Sequence, residues 1–266
     1  MDRELTQYQT TNALAARQAL YAFTSGPTRA DFVREALNGF PEMSVLDAGC
    51  GNGTLIADVL KTHSNARLWL LDSSEGMVNE AKGRVRSTAT IIGDLASARF
   101  DAFFDRIVVA HALHLADDKA AALAHLVNHL APGGRMVVTM HSGTDFPKRR
   151  EWIAWFETTF DHHSKTKRDS LHLQNFESLT KNIPGTIETR LIETRVRLTN
   201  PEPYLRYIDT ERHRWEREPT NAEWSAYLEH VRADIRREIT TNGSFLEPHE
   251  WGLATIQLPR KPLPNA

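Results

Sequence analysis

The chain has a single cysteine, Cys50, among 266 residues. That excludes an internal disulfide and a cysteine-based zinc site. It has no run of eighteen or more apolar residues, so no membrane span is expected. It has no excess charge of one sign. Thirty-two Lys and Arg face thirty-four Asp and Glu, for a formal net charge of -2. A balance of that kind gives no electrostatic footprint for nucleic acid or an anionic membrane. The polar stretch Met1 to Thr10 has no apolar core of the secretory type. A cytoplasmic protein is the expectation. No internal repeat or low-complexity segment stands out.

What is present is enough apolar material for a core, 41% of the residues. Between Met43 and Met140 short apolar runs alternate with helical patterns. Val45-Leu46, Leu68 to Leu71, Thr90 to Ile92, Ile107 to Val109 and Met136 to Val138 read as five strands. Helices are predicted after Gly53, through Met77 and Ala81, and from about Asp117 to Leu130, the last closed by Pro132-Gly133-Gly134. Asp72-Ser73-Ser74 reads as a helix start. Near-continuous apolar strands are buried on both faces, and strand–helix–strand succession implies a parallel sheet. Ligands on such sheets sit beyond the carboxyl ends of the strands. The positions to watch are therefore Gly49 to Gly53, Asp72, Asp94, His111 and His141.

The flanks are less regular. Residues 1 to 40 look helical, with Leu14, Leu20, Tyr21, Phe32, Val33 and Leu37 as apolar positions. Residues 145 to 182 form an aromatic and charged insertion, and 201 to 242 a second helical one. Thr186 to Thr199 and Trp251 to Leu258 read as strands.

The segment Val45-Leu46-Asp47-Ala48-Gly49-Cys50-Gly51-Asn52-Gly53 carries the chemistry. Its glycines allow a tight turn and a close backbone approach to a ligand, ahead of the free N–H groups of a helix start. A dinucleotide site spaces its glycines G-x-G-x-x-G to seat a pyrophosphate. Here the third glycine comes one residue early and Asp47 stands before the first. A carboxylate there repels a pyrophosphate and suits a cationic ammonium or sulfonium.

With Asp72 nineteen residues beyond Gly53, the Gly93-Asp94 pair, and the turn before the fifth strand, the chain resembles the class I S-adenosylmethionine-dependent methyltransferases, small-molecule branch. The resemblance covers residues 43 to 141. It implies a doubly wound α/β fold, a mostly parallel sheet of seven strands with the last antiparallel, under a helical cap. Four segments follow: 1–40 as an N-terminal cap segment, 41–144 as the cofactor-binding core, 145–182 as a cap insertion, and 183–266 as the remaining strands with the insertion 201–242. It implies that Asp47, Gly49, Gly51 and Gly53 line the methionine part of S-adenosylmethionine. Asp72, with Ser73 beside it, would hold the ribose hydroxyls. Met77 would pack near the adenine, Asp94 and Leu95 would meet its edge, and His111 would lie by the sulfonium.

His111 and His114 are the candidate bases, since imidazole titrates near neutrality. Their spacing also occurs in metal sites, but no third ligand is identifiable, so no metal is expected. His141, Trp152 and Trp155 are candidate acceptor contacts. The stripe Trp152, Trp155, Phe156 and Phe160 reads equally as the core of a cap helix. His125 and His129 read as a helix face far from the strand ends. Tyr8, Arg17 and Tyr21 would reach the cofactor carboxylate if the first helix closed the cleft. The expected activity is methyl transfer to a small molecule. Attack on the aminocarboxypropyl arm of the same cofactor, an RNA substrate, and a non-enzymatic cofactor sensor stay open as alternatives.

Overall fold

The computed structural model describes residues 19–39, 42–61, 65–165 and 171–260. The expected positions Tyr8, Leu14 and Arg17 lie outside them. Seven strands form one sheet in the order β3-β2-β1-β4-β5-β7-β6. These are β1 (Ser44–Ala48), β2 (Arg67–Asp72), β3 (Ala89–Ile92), β4 (Phe104–Ala110), β5 (Leu130–His141), β6 (Thr186–Leu198) and β7 (Phe245–Gln257). The first five pair in parallel, and β7 runs antiparallel to both β5 and β6. The chain reverses direction of travel along the sheet between β1 and β4, the switch point where ligands bind in such folds.

Helices α1 (Arg29–Leu37), α2 (Thr54–Leu60) and α3 (Glu75–Arg84) cover one face, and α4 (Lys119–Asn128) and α6 (Leu173–Thr180) the other. Alternation along β1 divides its side chains between the layers: Leu46 and Ala48 face α4, Val45 faces α1 and α2. Local signals set the helix starts. Thr28 and Asp31 form a capping box on α1. Ser74, and not Asp72, caps α3 by accepting from the Met77 N–H. Asp118 caps α4 through the Ala121 N–H.

Two expectations are corrected. Pro132-Gly133-Gly134 does not close α4, which ends at Asn128. The three residues lie within β5, where pairing to β4 jumps from Phe104↔Leu130 to Arg106↔Arg135. Gly133 supplies the positive φ (75°) that this excursion requires. The seventh strand begins at Phe245 and not Trp251. Its early inward positions include Glu247 and His249, both buried, so it does not read as an apolar strand. The β6–β7 pair consequently runs on to Leu198↔Phe245, past the end of β5, whose last partner is Trp251.

That overhang carries the cap. Helices α5 (Pro147–Phe160), α7 (Glu202–Asp209) and α8 (Asn221–Asn242) pack with it around Trp152, Phe156, Tyr204, Trp215, Trp224 and Phe245. Glu247 ties the two parts together. Its Oε1 accepts from the Lys148 N–H at 2.9 Å and so caps α5, which has no side-chain cap of its own.

Candidate active site

The turn between β1 and α2 is folded by three glycines in the left-handed region: Gly49 (φ 79°), Gly51 (φ 52°) and Gly53 (φ 75°). The N–H groups of Gly49 and Cys50 both donate to the Leu71 carbonyl, at 2.7 and 2.9 Å, which pins the turn to the end of β2. A Cβ on Gly49 would stand 2.2 Å from the Ala112 Cβ, so the loops after β1 and β4 touch only because position 49 has none.

Two carboxylates flank the turn. Asp47, on β1, is 3% exposed. Burial, and then the negative charge of Asp72, raise its pKa from 3.8 to about 8. Asp72, half-buried at the end of β2, is also raised by burial, against the bonds that it accepts. Its Oδ2 takes the Gly51 N–H at 2.8 Å and its Oδ1 the Ser74 N–H at 2.9 Å. Each oxygen has a further lone pair to offer. The two acids repel each other, and no cation among the described residues offsets the charge of Asp47, so the site is short of positive charge. The Cys50 thiol is pushed up by burial and then by both carboxylates, which makes it a small buried residue and no nucleophile.

The other predicted positions fall along the same rim. Ser73 is exposed and Met77 buried at the start of α3. Asp94 is exposed after β3, its Oδ1 engaged by the Ala96 N–H at 2.7 Å, with Leu95 buried beside it. His111 follows β4 in a left-handed conformation (φ 49°), a strained geometry for a residue with a Cβ. Its N–H donates to the Thr139 carbonyl at 3.0 Å. Its Nε2 is sealed from solvent and meets no partner among the described residues. His141 lies 4.8 Å from the His111 ring and 5.5 Å from that of His114, centroid to centroid. It is exposed to solvent. Desolvation by the protein packed around it, with His114 and Arg29 adding to it, still lowers its pKa below 6.5. Burial with Arg29 holds His111 well below 6.5. Among the described residues, no group of three or more His, Cys, Asp or Glu is placed to hold a metal ion.

Trp152 and Trp155 do not join this rim. Trp152 is 2% exposed inside the cap, and its Nε1–H donates to Asp234 Oδ2 at 2.9 Å. Trp155 stacks on His230 at 3.8 Å. Their helical spacing therefore reflects the packing of α5 on α8. His125 and His129 are likewise occupied locally, with His125 Nε2 bonded to the Ala98 carbonyl at 2.8 Å.

The structure adds residues that nothing in the sequence singles out. Arg29, at the start of α1, lies over the rings of Tyr21 and Trp251 at 4.9 and 5.2 Å, with a buried Nε that has no hydrogen-bond partner among the described residues. Its charge acts on both His111 and His141. His249 and Asp145 pair at 3.1 Å. Their separation of 104 positions hides them, although the alternation Phe245, Glu247, His249, Trp251 is a strand signal once polar residues are allowed inward.

Comparison with known proteins agrees with this layout. Residues 45–134 match the family model of a methyltransferase domain. A demethylmenaquinone methyltransferase of Beutenbergia cavernae is 33% identical over 109 residues, 41% of this chain and 45% of that protein. A trans-aconitate 2-methyltransferase of an Acidovorax species is 30% identical over 106 residues, 40% of this chain and 41% of that protein. The chain thus spans less than half the length of these curated relatives. Among solved structures, the YcgJ protein of Bacillus subtilis aligns with a TM-score of 0.57 at 15% identity, over 87% of this chain and 98% of that one. Phosphoethanolamine N-methyltransferase 2 of Haemonchus contortus, in complex with phosphomonomethylethanolamine and S-adenosylhomocysteine, aligns at 0.56 and 14%, over 95% of this chain and 58% of that one. The matched segment, residues 45–134, is similar to a methyltransferase domain and holds the glycine turn, Asp47, Asp72 and His111; the sheet built around it has the seven strands, mostly parallel with the last antiparallel, that the resemblance implied.

Proposed function

We propose that this protein binds S-adenosylmethionine at the carboxyl ends of β1, β2 and β3 and uses it to methylate a small-molecule acceptor beneath the cap. The observation behind it is the acid pair, buried Asp47 and half-buried Asp72, on either side of a turn that only glycine can make. A cationic amino acid end and a ribose diol supply what these groups lack: positive charge for Asp47 and hydroxyl donors for Asp72. The bound cofactor supplies an activated methyl group on a sulfonium. The protein's task is then to bind, align and exclude water. Met77 and Leu95 give apolar contact, and Asp94 has a second oxygen to offer. His111, His114 and His141 form the wall next to the turn. The balanced surface charge favours a small acceptor over RNA, as do the names of the curated relatives.

Mass spectrometry of reactions with candidate acceptors tests the assignment. Release of S-adenosylhomocysteine with a methylated product is expected. Methylthioadenosine above the spontaneous background, with no methylated product, would mean attack on the aminocarboxypropyl arm and would overturn methyl transfer.

The acid pair also predicts a pH dependence. The Asp47 pKa is raised from 3.8 to about 8 on folding without a bound cation. Its contribution to stability is therefore fully present below about 3.8 and lost as pH rises through about 8. A bound cation favours the carboxylate and offsets that loss. The rise in melting temperature on adding S-adenosylmethionine should grow between about pH 6 and about pH 8. In Asp47→Asn the rise should be smaller and flat with pH. An equal slope in wild type and variant would remove Asp47 from the site.

A further inference from the structure

Four histidines and one arginine converge beyond the ends of β4, β5 and β7. Three of the histidines are the wall already described. The fourth, His249, differs from them in how it is held. It lies on the part of β7 that overhangs β5, two residues from Trp251, which pairs with His141. Alternation along the strand puts His249, Trp251 and the cross-strand His141 on one face of the sheet. His249 is 3% exposed. Its ring is clamped between Tyr21 and Phe146, with centroids at 4.8 Å on each side and interplanar angles of 24° and 17°. Nδ1 faces Asp145 Oδ1 at 3.1 Å. That same oxygen accepts the Glu250 N–H at 2.8 Å, which fixes the carboxylate as an acceptor. An acceptor opposite Nδ1 requires the proton there, and so leaves the lone pair on Nε2.

We infer that His249, oriented by Asp145, is the catalytic base of this methyltransferase, and that its acceptor is a protic nucleophile: a hydroxyl, a phenol or an amine, as opposed to a carboxylate. This rests on the methyl-transfer reading above. A base held in one tautomer by a carboxylate is the arrangement that proton abstraction needs. The low basicity of His111, buried beside the charge of Arg29, suits a wall better than a proton acceptor. Neighbouring groups support the assignment of roles. The charges of Arg29 and His249 both reach His111 and His141, at the ends of β4 and β5, and among the described residues the carboxylate bonded to the His249 ring is that of Asp145. In the step itself the acceptor oxygen or nitrogen forms its bond to the methyl carbon while its proton passes to His249 Nε2. The electron pair of the broken carbon–sulfur bond stays on sulfur and neutralises it. The imidazolium, steadied by Asp145, returns its proton to water as product leaves. A carboxylate acceptor has no proton to lose and needs no such dyad.

Two measurements test it. The first reads the imidazole directly. In protein labelled with 15N-histidine and saturated with S-adenosylhomocysteine, His249 is assigned by the signals lost in His249→Gln. The Nδ1–H tautomer is expected in the wild type, with a shift toward a mixture in Asp145→Asn. The amide oxygen of that variant still accepts the Glu250 N–H, so a merely structural role for Asp145 would not move the tautomer. The Nε2–H tautomer in the wild type would overturn the proposal. The second is turnover on a panel of phenols, alcohols and amines, with trans-aconitate as the carboxylate. Turnover of protic acceptors is expected, with kcat lowered about 10²- to 10⁴-fold in His249→Gln and about tenfold or more in Asp145→Asn, while KM for S-adenosylmethionine stays within about twofold. Methylation of the carboxylate alone, or full kcat in His249→Gln, would sink the dyad and leave methyl transfer standing. Methylthioadenosine in place of S-adenosylhomocysteine would instead sink the methyl-transfer reading.

Discussion

Replacing Glu211 by alanine is expected to destabilise the protein by about 3 to 5 kcal/mol, more than any single change in the cofactor site. Arg149 on α5 makes a two-pronged bond to Glu211, Nε to Oε2 at 2.8 Å and Nη2 to Oε1 at 2.6 Å. Arg214 adds a contact to Oε2 at 3.2 Å. The side chains of Arg149 and Glu211 are only 15% and 13% exposed. A guanidinium does not give up its proton, so the variant would hold Arg149 charged inside the cap without a carboxylate. At about 2 to 4 °C per kcal/mol for a protein of this size, the melting temperature should fall by on the order of 10 °C. Arg149→Met combined with Glu211→Leu should recover part of that fall, because the charge of Arg149 is then gone while that of Arg214 stays. A loss below about 1 kcal/mol in Glu211→Ala, measured by denaturant titration, would show that the bridge is wet and replaceable.

The bridge also shows where the sequence stops being legible. Strands β1, β2, β4 and β5 announce themselves as apolar runs because both of their faces are covered. The ends of β1, β2 and β4 fix Asp47, Asp72 and His111, and the end of β3 fixes Asp94, without any knowledge of the cap. The glycine turn is legible for a similar reason: three positive φ values in five residues leave little choice of residue type. These are local constraints, written where they act. The cap is assembled from contacts between segments far apart in the chain. Arg149 and Glu211 are 62 positions apart, Trp152 and Asp234 82, His249 and Asp145 104. A charge destined for a buried partner looks in sequence like any solvated charge. Arg149 stands in a run of three cations, Lys148-Arg149-Arg150, and yet its side chain is mostly buried.

The aromatic stripe of α5 shows the opposite difficulty. Helical spacing locates a buried face but does not say what covers it. Trp152 and Trp155 satisfy that spacing by packing on α8. The aromatic groups that stack on His249, Tyr21 and Phe146, come from the last helical residue before a turn and from a helix N-cap in the left-handed region (φ 49° at Phe146). Phe146 has no period to betray it. The strand that carries His249 is hidden by its own function. Polar residues at inward positions break the alternation by which a strand is recognised, and functional sites are where such breaks are expected.

Asp72→Ala should weaken binding of S-adenosylhomocysteine by about a hundredfold. Two effects of the same sign combine. A carboxylate holding a vicinal diol makes two charge-assisted hydrogen bonds, each contributing about 1.5 to 3 kcal/mol. Losing both would by itself cost at least about 3 kcal/mol, and a factor of ten corresponds to about 1.4 kcal/mol. In addition, Asp72 fixes the turn in advance: Gly51 N–H and Ser74 N–H are both bonded to it, one on each oxygen. Without it, the turn after β1 and the first turn of α3 lose a common anchor, and ordering them would fall to the ligand. Asp72→Asn separates the two effects. Its single amide oxygen can keep one of the backbone bonds, but it brings no charge, so affinity should fall by about tenfold and the melting temperature of the unliganded protein should change little. Isothermal calorimetry on the three proteins is the measurement. Affinity in Asp72→Ala within about threefold of wild type would place the ribose elsewhere. An equal loss in both variants would assign the effect to charge and not to the anchored turn.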